Sequence, residues 1–422
     1  MSIPNINEAS LVEILQGHLS PSKEISDPKR LFGREKYLTR IRRALNSPGR
    51  HVFIYGERGV GKTSIAQTTG RLAVGDDKNF IYVPCGKNTT FFEVIAAVGN
   101  SLIDIQKRFG QKRSGLTLGG GIAGLGNLSG KIDQSSDPTI PLPNNQSEAL
   151  DILRYVRAKL DGQIIVVIDE LDRVVSVDER VMFAELVKNV GSVVDDLRFI
   201  LCGIGANVNE LLGEHLSTGR MFEPVEVEKL PHDSLWRIIE EVAELLQVSI
   251  PDGMKIRVGI ISDGFPHFVH LIGECIFYAM HDDDNEVNIC SSAHFNMALE
   301  EAMKKAEPAL REIYRIATEK TNSKEDYENA LWALADRTAT RRQIKEVYSS
   351  SYQRIVNERA KGKPLTRERF NQRLLSLRSD AHANILLGHG SGYFSFRENV
   401  VRGYVRLVAE NHGVELVPEV ID

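Results

Sequence analysis

Gly56-Glu57-Arg58-Gly59-Val60-Gly61-Lys62-Thr63 decides how this chain is read. The stretch fits G-x-x-x-x-G-K-[ST], a loop whose backbone amides cradle phosphate oxygens. Its surroundings suit that role. His51-Val52-Phe53-Ile54-Tyr55, just upstream, is the apolar run of a short buried strand, and Ser64 onward reads as a helix start. The glycines allow the turn that brings amides inward. The helix N-terminus adds partial positive charge at the same place. Lys62 has the reach for β- and γ-phosphates, and Thr63 offers a hydroxyl to Mg²⁺. An ordinary glycine-rich turn would need neither the strand before it nor the Lys-Thr pair after it.

Working outward, strands and helices alternate. Leu38, Ile41 and Leu45 recur at helical spacing after Phe32-Gly33-Arg34-Glu35. Phe80–Val83 reads as a second strand and Phe91–Phe109 as a long helix. Ala149–Leu160 and Val181–Val190 are further helices. Ile164–Ile168 is a continuous apolar run, the mark of a parallel strand covered on both faces. Phe199–Cys202 and Val225–Val227 are the remaining strands. Such alternation predicts a parallel sheet with helices on both sides.

The run Ile164–Ile168 ends in Asp169-Glu170. A carboxylate at the C-terminal end of a buried strand, beside a phosphate loop, is placed to hold Mg²⁺ directly or through water. Glu170 is then the acid that polarises a water for attack on the γ-phosphate. Asp172 either acts with them or caps a helix.

From Asp233 to Lys320 the pattern is all helical, over Leu235–Leu246, Met254–Ser262, Pro266–His281 and Ala293–Lys320. Beyond Tyr327, helices around Ala330–Ala335, Arg341–Val356 and Thr366–Leu377 precede two short strands, Asn384–Leu387 and Tyr393–Phe396. Gly388–Gly392 joins these strands, and Val400–Asn411 is a last helix. Helices followed by a glycine-turned hairpin predict a winged helix. At the other end, Asn7–His18 is a short amphipathic helix and Pro21–Pro28 a linker. The expected domains are 1–30 (helix and linker), 31–231 (nucleotide-binding core), 232–322 (helical lid) and 323–422 (winged helix).

A glycine-rich insertion, 113–146, interrupts the core. Gly119, Gly121 and Gly124 imitate a dinucleotide fingerprint, but no strand feeds them and no long helix follows. Gly115–Gly130 reads instead as a hairpin or mobile loop, contacting DNA or a neighbouring subunit.

Composition bounds the rest. The net charge is −5 over 422 residues, and Cys85, Cys202, Cys275 and Cys290 are scattered without a C-x-x-C pair. That pattern suggests a reducing compartment and argues against structural zinc. No apolar run approaches a membrane span, and Met1–Ser10 lacks a signal-peptide pattern, so a cytoplasmic location is expected.

Phe32-Gly33-Arg34-Glu35, the loop Gly56–Thr63 and Ile168-Asp169-Glu170-Leu171-Asp172 together resemble the entry motif, Walker A and Walker B of AAA+ ATPases. The resemblance is to the origin-recognition and cell-division-control initiator clade and to the signalling STAND ATPases. It implies an αβα core, a helical lid, and homo-oligomers with ATP or ADP and Mg²⁺ at subunit boundaries. It assigns nucleotide contacts to Phe32, Gly33, Arg34, Gly56, Glu57, Arg58, Gly59, Val60, Gly61, Lys62, Thr63 and Ser64, and metal contacts to Thr63 and Asp169. Asn207 is the first polar residue after the strand Phe199–Cys202, where this family has a γ-phosphate sensor. Arg220 has the position of an arginine finger; the alternative is a surface Arg paired with Glu223. Pro266 and His267 stand where initiators offer a lid arginine, and Gly264-x-Pro266 is similar to a STAND signature that touches the base. Plain lid packing is the other reading of His267. The missing arginine implies slow hydrolysis.

The stretch 337–378 is rich in Arg341, Arg342, Lys345, Arg354, Arg359, Lys361, Lys363, Arg367, Arg369, Arg373 and Arg378. A basic winged helix on an acidic protein suggests contact with the backbone of double-stranded DNA, with Arg367, Arg369 and Arg373 outward on a recognition helix. Two functions stay open. One is a DNA-associated loader or recruiter; the other is a nucleotide switch that activates a separate effector protein.

Overall fold

Ile164, Val166 and Ile168 share one face of their strand, and Ile165 and Val167 share the other, because side chains alternate along a strand. All five are fully buried, so both faces must be covered. In the computed structural model they are. The structure describes residues 2–21, 24–25, 27–110, 139–194, 196–205, 218–320, 323–359 and 363–416. The predicted contacts of 115–130 and the sensor residue Asn207 lie outside the described residues.

The chain divides into two units. One comprises Glu24–Glu57 and Gly61–Glu228; the other comprises Met1–Lys23, Arg58–Val60 and Lys229–Asp422. The first holds a parallel sheet of β1 (His51–Tyr55), β2 (Phe80–Pro84), β3 (Ile164–Asp169), β4 (Leu197–Gly203) and β5 (Phe222–Glu226), in the order β2-β3-β4-β1-β5. Val52 pairs with Ile200 on one side of β1, and His51 with Phe222 on the other. The phosphate loop therefore leaves an interior strand.

Phe53, Val166, Ile168, Phe199 and Leu201 form one core with α4 (Phe91–Gly110), α5 (Gln146–Lys159) and α6 (Val177–Val193). The opposite face receives α3 (Lys62–Val74), where Gly70 brings the helix close. A Cβ there would lie 2.6 Å from the Phe80 ring. α2 (Glu35–Leu45) accompanies α3, and the short α7 (Thr218–Met221) leads into β5. The segment read as a linker is not all loose. Ile25 is buried, its amide donating to Ser64 Oγ at 3.2 Å and its carbonyl accepting from Thr68 Oγ1 at 2.9 Å.

The second unit is mainly helical. α1 (Glu8–His18) is capped by the Asn7 side chain and packs on α8 (His232–Leu245). α9 (Asp252–Ser262), α10 (Pro266–His281), α11 (Ser292–Lys305), α12 (Pro308–Thr318) and α13 (Lys324–Ala335) follow. The single helix expected over Ala293–Lys320 is two. Pro308 has no amide to donate and forces the residue before it out of helical geometry, so it opens α12 instead of continuing α11.

The helix expected from Arg341 is also corrected. Arg341–Gln343 is a strand, β6, and the helical stretch α14 runs through Ile344–Glu346, Val347–Tyr352 and Gln353–Arg359, the middle piece π-helical. α15 (Arg367–Ser376), β7 (Leu386–Gly388), β8 (Tyr393–Phe396) and α16 (Asn399–Asn411) complete the unit. The strands form an antiparallel sheet in the order β6-β8-β7.

α16 is buried along almost its whole length and brings two arginines inside. Arg402 and Arg406 both donate to Ala335 O and Arg337 O at the end of α13, and Arg406 also reaches Ile260 O at 2.6 Å. Arg406 pairs with Asp263 at 3.1 Å, and Lys229 with the same carboxylate at 2.9 Å. Burial alone would raise the Asp263 carboxyl; Arg406, Arg402 and Lys229 outweigh it and hold it low. Among the described residues, no helix is long and apolar enough to cross a membrane.

Candidate active site

The loop after β1 depends on backbone shapes that only glycine adopts without strain. Gly56 has φ 145°, and a Cβ there would lie 2.5 Å from Val227 O. Gly61, with φ 95°, is the cap residue from which α3 starts. Lys62 is buried, and its Nζ donates to Gly56 O at 3.1 Å and Glu57 O at 2.7 Å. Burial pulls its ammonium pKa down, against the pull of Asp172, Asp169 and Glu170. The amine is thus held within the loop.

Thr63, next along α3, donates from Oγ1 to Asp169 Oδ2 at 2.6 Å. This bond joins the phosphate loop to the end of β3, which the sequence brings together only through motif spacing. A threonine hydroxyl has one hydrogen and two lone pairs. With the hydrogen given to Asp169, the lone pairs remain for a cation. A hydroxyl and a carboxylate are the hard oxygen ligands that Mg²⁺ takes, with phosphate and water oxygens completing its shell. The residues fit Mg²⁺ and a nucleotide.

Asp169 is itself buried and accepts the Glu170 amide on Oδ1 at 2.8 Å. Glu170 has left-handed backbone, φ 55° and ψ 41°, which turns the chain sharply out of the sheet. Its carboxylate meets Arg173 at 2.9 Å. Asp172 caps no helix here. Its Oδ1 accepts the Ile204 amide at 2.7 Å and so braces the exit of β4.

Other predicted site residues are used differently. Gly33 turns with φ 67°, and Arg34 is buried, donating to Glu228 O at 2.8 Å. Burial lowers the Arg34 pKa to about 10. Its guanidinium therefore ties Phe32–Glu35 to the end of β5. The Ser64 side chain is spent on Ile25. Arg58 pairs with Glu307 at 2.9 Å and Glu398 at 3.6 Å, while Gly59 lies against Phe265 and Val400. Pro266 is at the first turn of α10, and His267 Nδ1 meets Pro21 O at 2.6 Å.

Arg220 is exposed, at the N-terminal end of β5, and no partner for it appears among the described residues. Glu223 pairs instead with Arg40 at 2.6 Å and Arg50 at 3.3 Å. The strands are parallel, so Arg220 and the phosphate loop lie at opposite ends of the sheet, roughly 15 Å of strand apart.

The basic stretch 337–378 is corrected in part. Arg342 is buried against Ala333 O and Asp336 O, Arg354 pairs with Asp336 and Glu358, Arg359 with Glu328, and Arg373 with Asp326. Arg373 is therefore not a free outward residue. Arg341, Lys345, Lys363, Arg367, Arg369 and Arg378 remain exposed; Lys361 lies outside the described residues.

Residues 30–200 match the family described as AAA ATPase domain. Among proteins curated for function, none matches. Of the solved structures, the Walker-type ATPase PABY2304 of Pyrococcus abyssi is similar at 17% identity and TM-score 0.52, over 91% of this chain and 99% of that one. The Aeropyrum pernix ORC1 protein, solved in complex with DNA, is similar at 15% identity and TM-score 0.44, over 91% and 96%. Cdc6p from Pyrobaculum aerophilum gives 15% and 0.44, over 95% and 97%. The likeness to the Pyrococcus abyssi ATPase is one of fold. The family match, the sheet order and the Thr63–Asp169 bond agree: residues 30–200 form an AAA ATPase domain, and the chain is an ATPase.

Proposed function

We propose that this ATPase is a slow, assembly-controlling switch: it holds Mg²⁺ and ATP at Lys62, Thr63 and Asp169, and self-associates so that Arg220 serves a neighbour's site. The observation that carries this reading is Arg220 itself. It is exposed, lacks a partner among the described residues, and lies at the wrong end of its own sheet to reach its own phosphate loop. An arginine so placed can neutralise γ-phosphate charge only in another subunit. Glu170 is the base that takes a proton from water, and its engagement by Arg173 supports slow turnover. His267, where the resemblance calls for a lid arginine, is tied to Pro21, which supports it further.

We read β6-β8-β7 with α13–α15 as a winged helix that touches DNA backbone through Arg367, Arg369 and Lys363. One observation favours the alternative, a switch acting on a separate effector protein. Arg342, Arg354, Arg359 and Arg373 are spent on internal pairs, which leaves fewer charges for phosphate.

Particle mass in solution with ATP, with ADP and without nucleotide tests assembly. ATP should enlarge the particle, and Arg220→Ala should lower turnover at least tenfold while each subunit still binds nucleotide. Unchanged turnover in Arg220→Ala would sink the assembly reading. Stimulation by duplex DNA that salt abolishes supports the DNA role; indifference to DNA favours the effector reading.

A further inference from the structure

Tyr82 lies in the middle of β2, and its hydroxyl is 3.2 Å from Asp169 Oδ2, the oxygen that also accepts from Thr63. Strand alternation explains how it gets there. Ile81 and Val83 join the core under α4, so Tyr82 turns to the α3 face of β2. There the Gln67 side chain hydrogen-bonds it. A phenol keeps its proton at neutral pH, so the hydroxyl is the donor in this bond.

A carboxylate offers about four lone-pair sites. On Asp169, Thr63 and Tyr82 fill Oδ2, and the Glu170 amide takes one site on Oδ1. One site on Oδ1 is left over. We infer that Tyr82 is a positioning residue for the metal half of the site: it saturates Oδ2, locks the carboxylate against rotation, and leaves the remaining Oδ1 site as the edge presented to Mg²⁺ or its water. This inference rests on reading Thr63 and Asp169 as the Mg²⁺ residues. It goes further in assigning a metal-dependent role to a residue that touches neither nucleotide nor metal.

The test is binding of a fluorescent ATP analogue to the full chain, in Mg²⁺ and in EDTA. Tyr82→Phe keeps the ring and removes only the donor. It should weaken binding in Mg²⁺ by roughly five- to tenfold, the scale of one ordinary hydrogen bond. The Mg²⁺ concentration for half-maximal binding should rise in step, while binding in EDTA stays at the parent value. Parent-like binding in Mg²⁺, or an equal loss in both conditions, overturns the inference. Asp169→Asn separates the two levels. If it keeps the full Mg²⁺ enhancement, the metal site itself is misassigned. If it loses the enhancement and Tyr82→Phe does not, only the role of Tyr82 falls.

Discussion

Glu170 Oε1 accepts from Arg173 Nη2 at 2.9 Å, so the carboxylate proposed to activate water is tied to a cation on its own turn. Both side chains are about half exposed, and such pairs contribute at most about 1 kcal/mol. Arg173→Gln should therefore raise turnover, by no more than about fivefold, with KM unchanged. Glu170→Gln should lower it by about a hundredfold or more, and the double variant should match Glu170→Gln. Steady-state phosphate release measures all of these. A fall in turnover for Arg173→Gln would show that Arg173 helps the reaction.

Gly56→Ala meets two obstacles, positive φ and a carbonyl at 2.5 Å. The main chain must shift to relieve both, at a cost on the order of 1–3 kcal/mol, and the phosphate cradle shifts with it. Nucleotide binding should be lost while the rest of the molecule still melts cooperatively. Calorimetric titration with ATP, beside a thermal melt, checks this.

Asp172→Ala removes the acceptor for the Ile204 amide and should destabilise the nucleotide-free protein by about 1–2 kcal/mol. Asp172→Asn keeps a carbonyl oxygen in place and should recover most of that loss. Denaturant midpoints of the parent and both variants decide between a brace and a purely electrostatic role.

His51 is buried in β1, with Nδ1 accepting the Phe199 amide at 3.0 Å. Burial, and secondarily Arg198, lower its pKa to about 3 from an ordinary 6.5. The unfolded chain binds a proton near pH 6.5 that the folded chain refuses until far lower pH. Stability from neutral His51 is thus complete above about pH 6.5 and is lost as pH falls toward 3, by up to about 1.4 kcal/mol per pH unit. His51→Asn should flatten the fall in melting temperature between pH 7 and pH 4. An equal slope in parent and variant would assign that slope to other groups.

Arg406→Ala strips partners from Ala335 O, Arg337 O and Ile260 O, and leaves Asp263 with less countercharge. Removing one member of a buried charged network costs about 3–5 kcal/mol. The second unit should melt at distinctly lower temperature, and Arg406→Lys should rescue little because one ammonium cannot span those acceptors. Differential scanning calorimetry reads the change.

How legible was all this in the residues themselves? The phosphate loop and Asp169-Glu170 are contiguous strings whose chemistry is local, so they stand out. Tyr82 and the Asp172–Ile204 brace depend on which strands become neighbours, a matter of register across long stretches of chain. The contact of Ile25 with Ser64 and Thr68 is of the same kind. The helix break at Pro308 was open to reading, since proline is a breaker wherever it falls. The basic stretch misled for a different reason: Asp326, Glu328 and Asp336, which neutralise three of its arginines, all lie upstream of the window in which charge was counted.

The division of the chain also bears on its synthesis. Residues 2–21 belong with the last-made half: Ser2 bonds the His281 and Val287 backbones, and Ser20 donates to His270. The nucleotide-binding unit is otherwise complete once residue 228 has left the ribosome. α16 closes the second unit only with Asn411, on the order of ten seconds or more later at ordinary elongation rates. Residues 2–21 thus stay without their packing partners until stretches as distant as His281 and Val287 have been made.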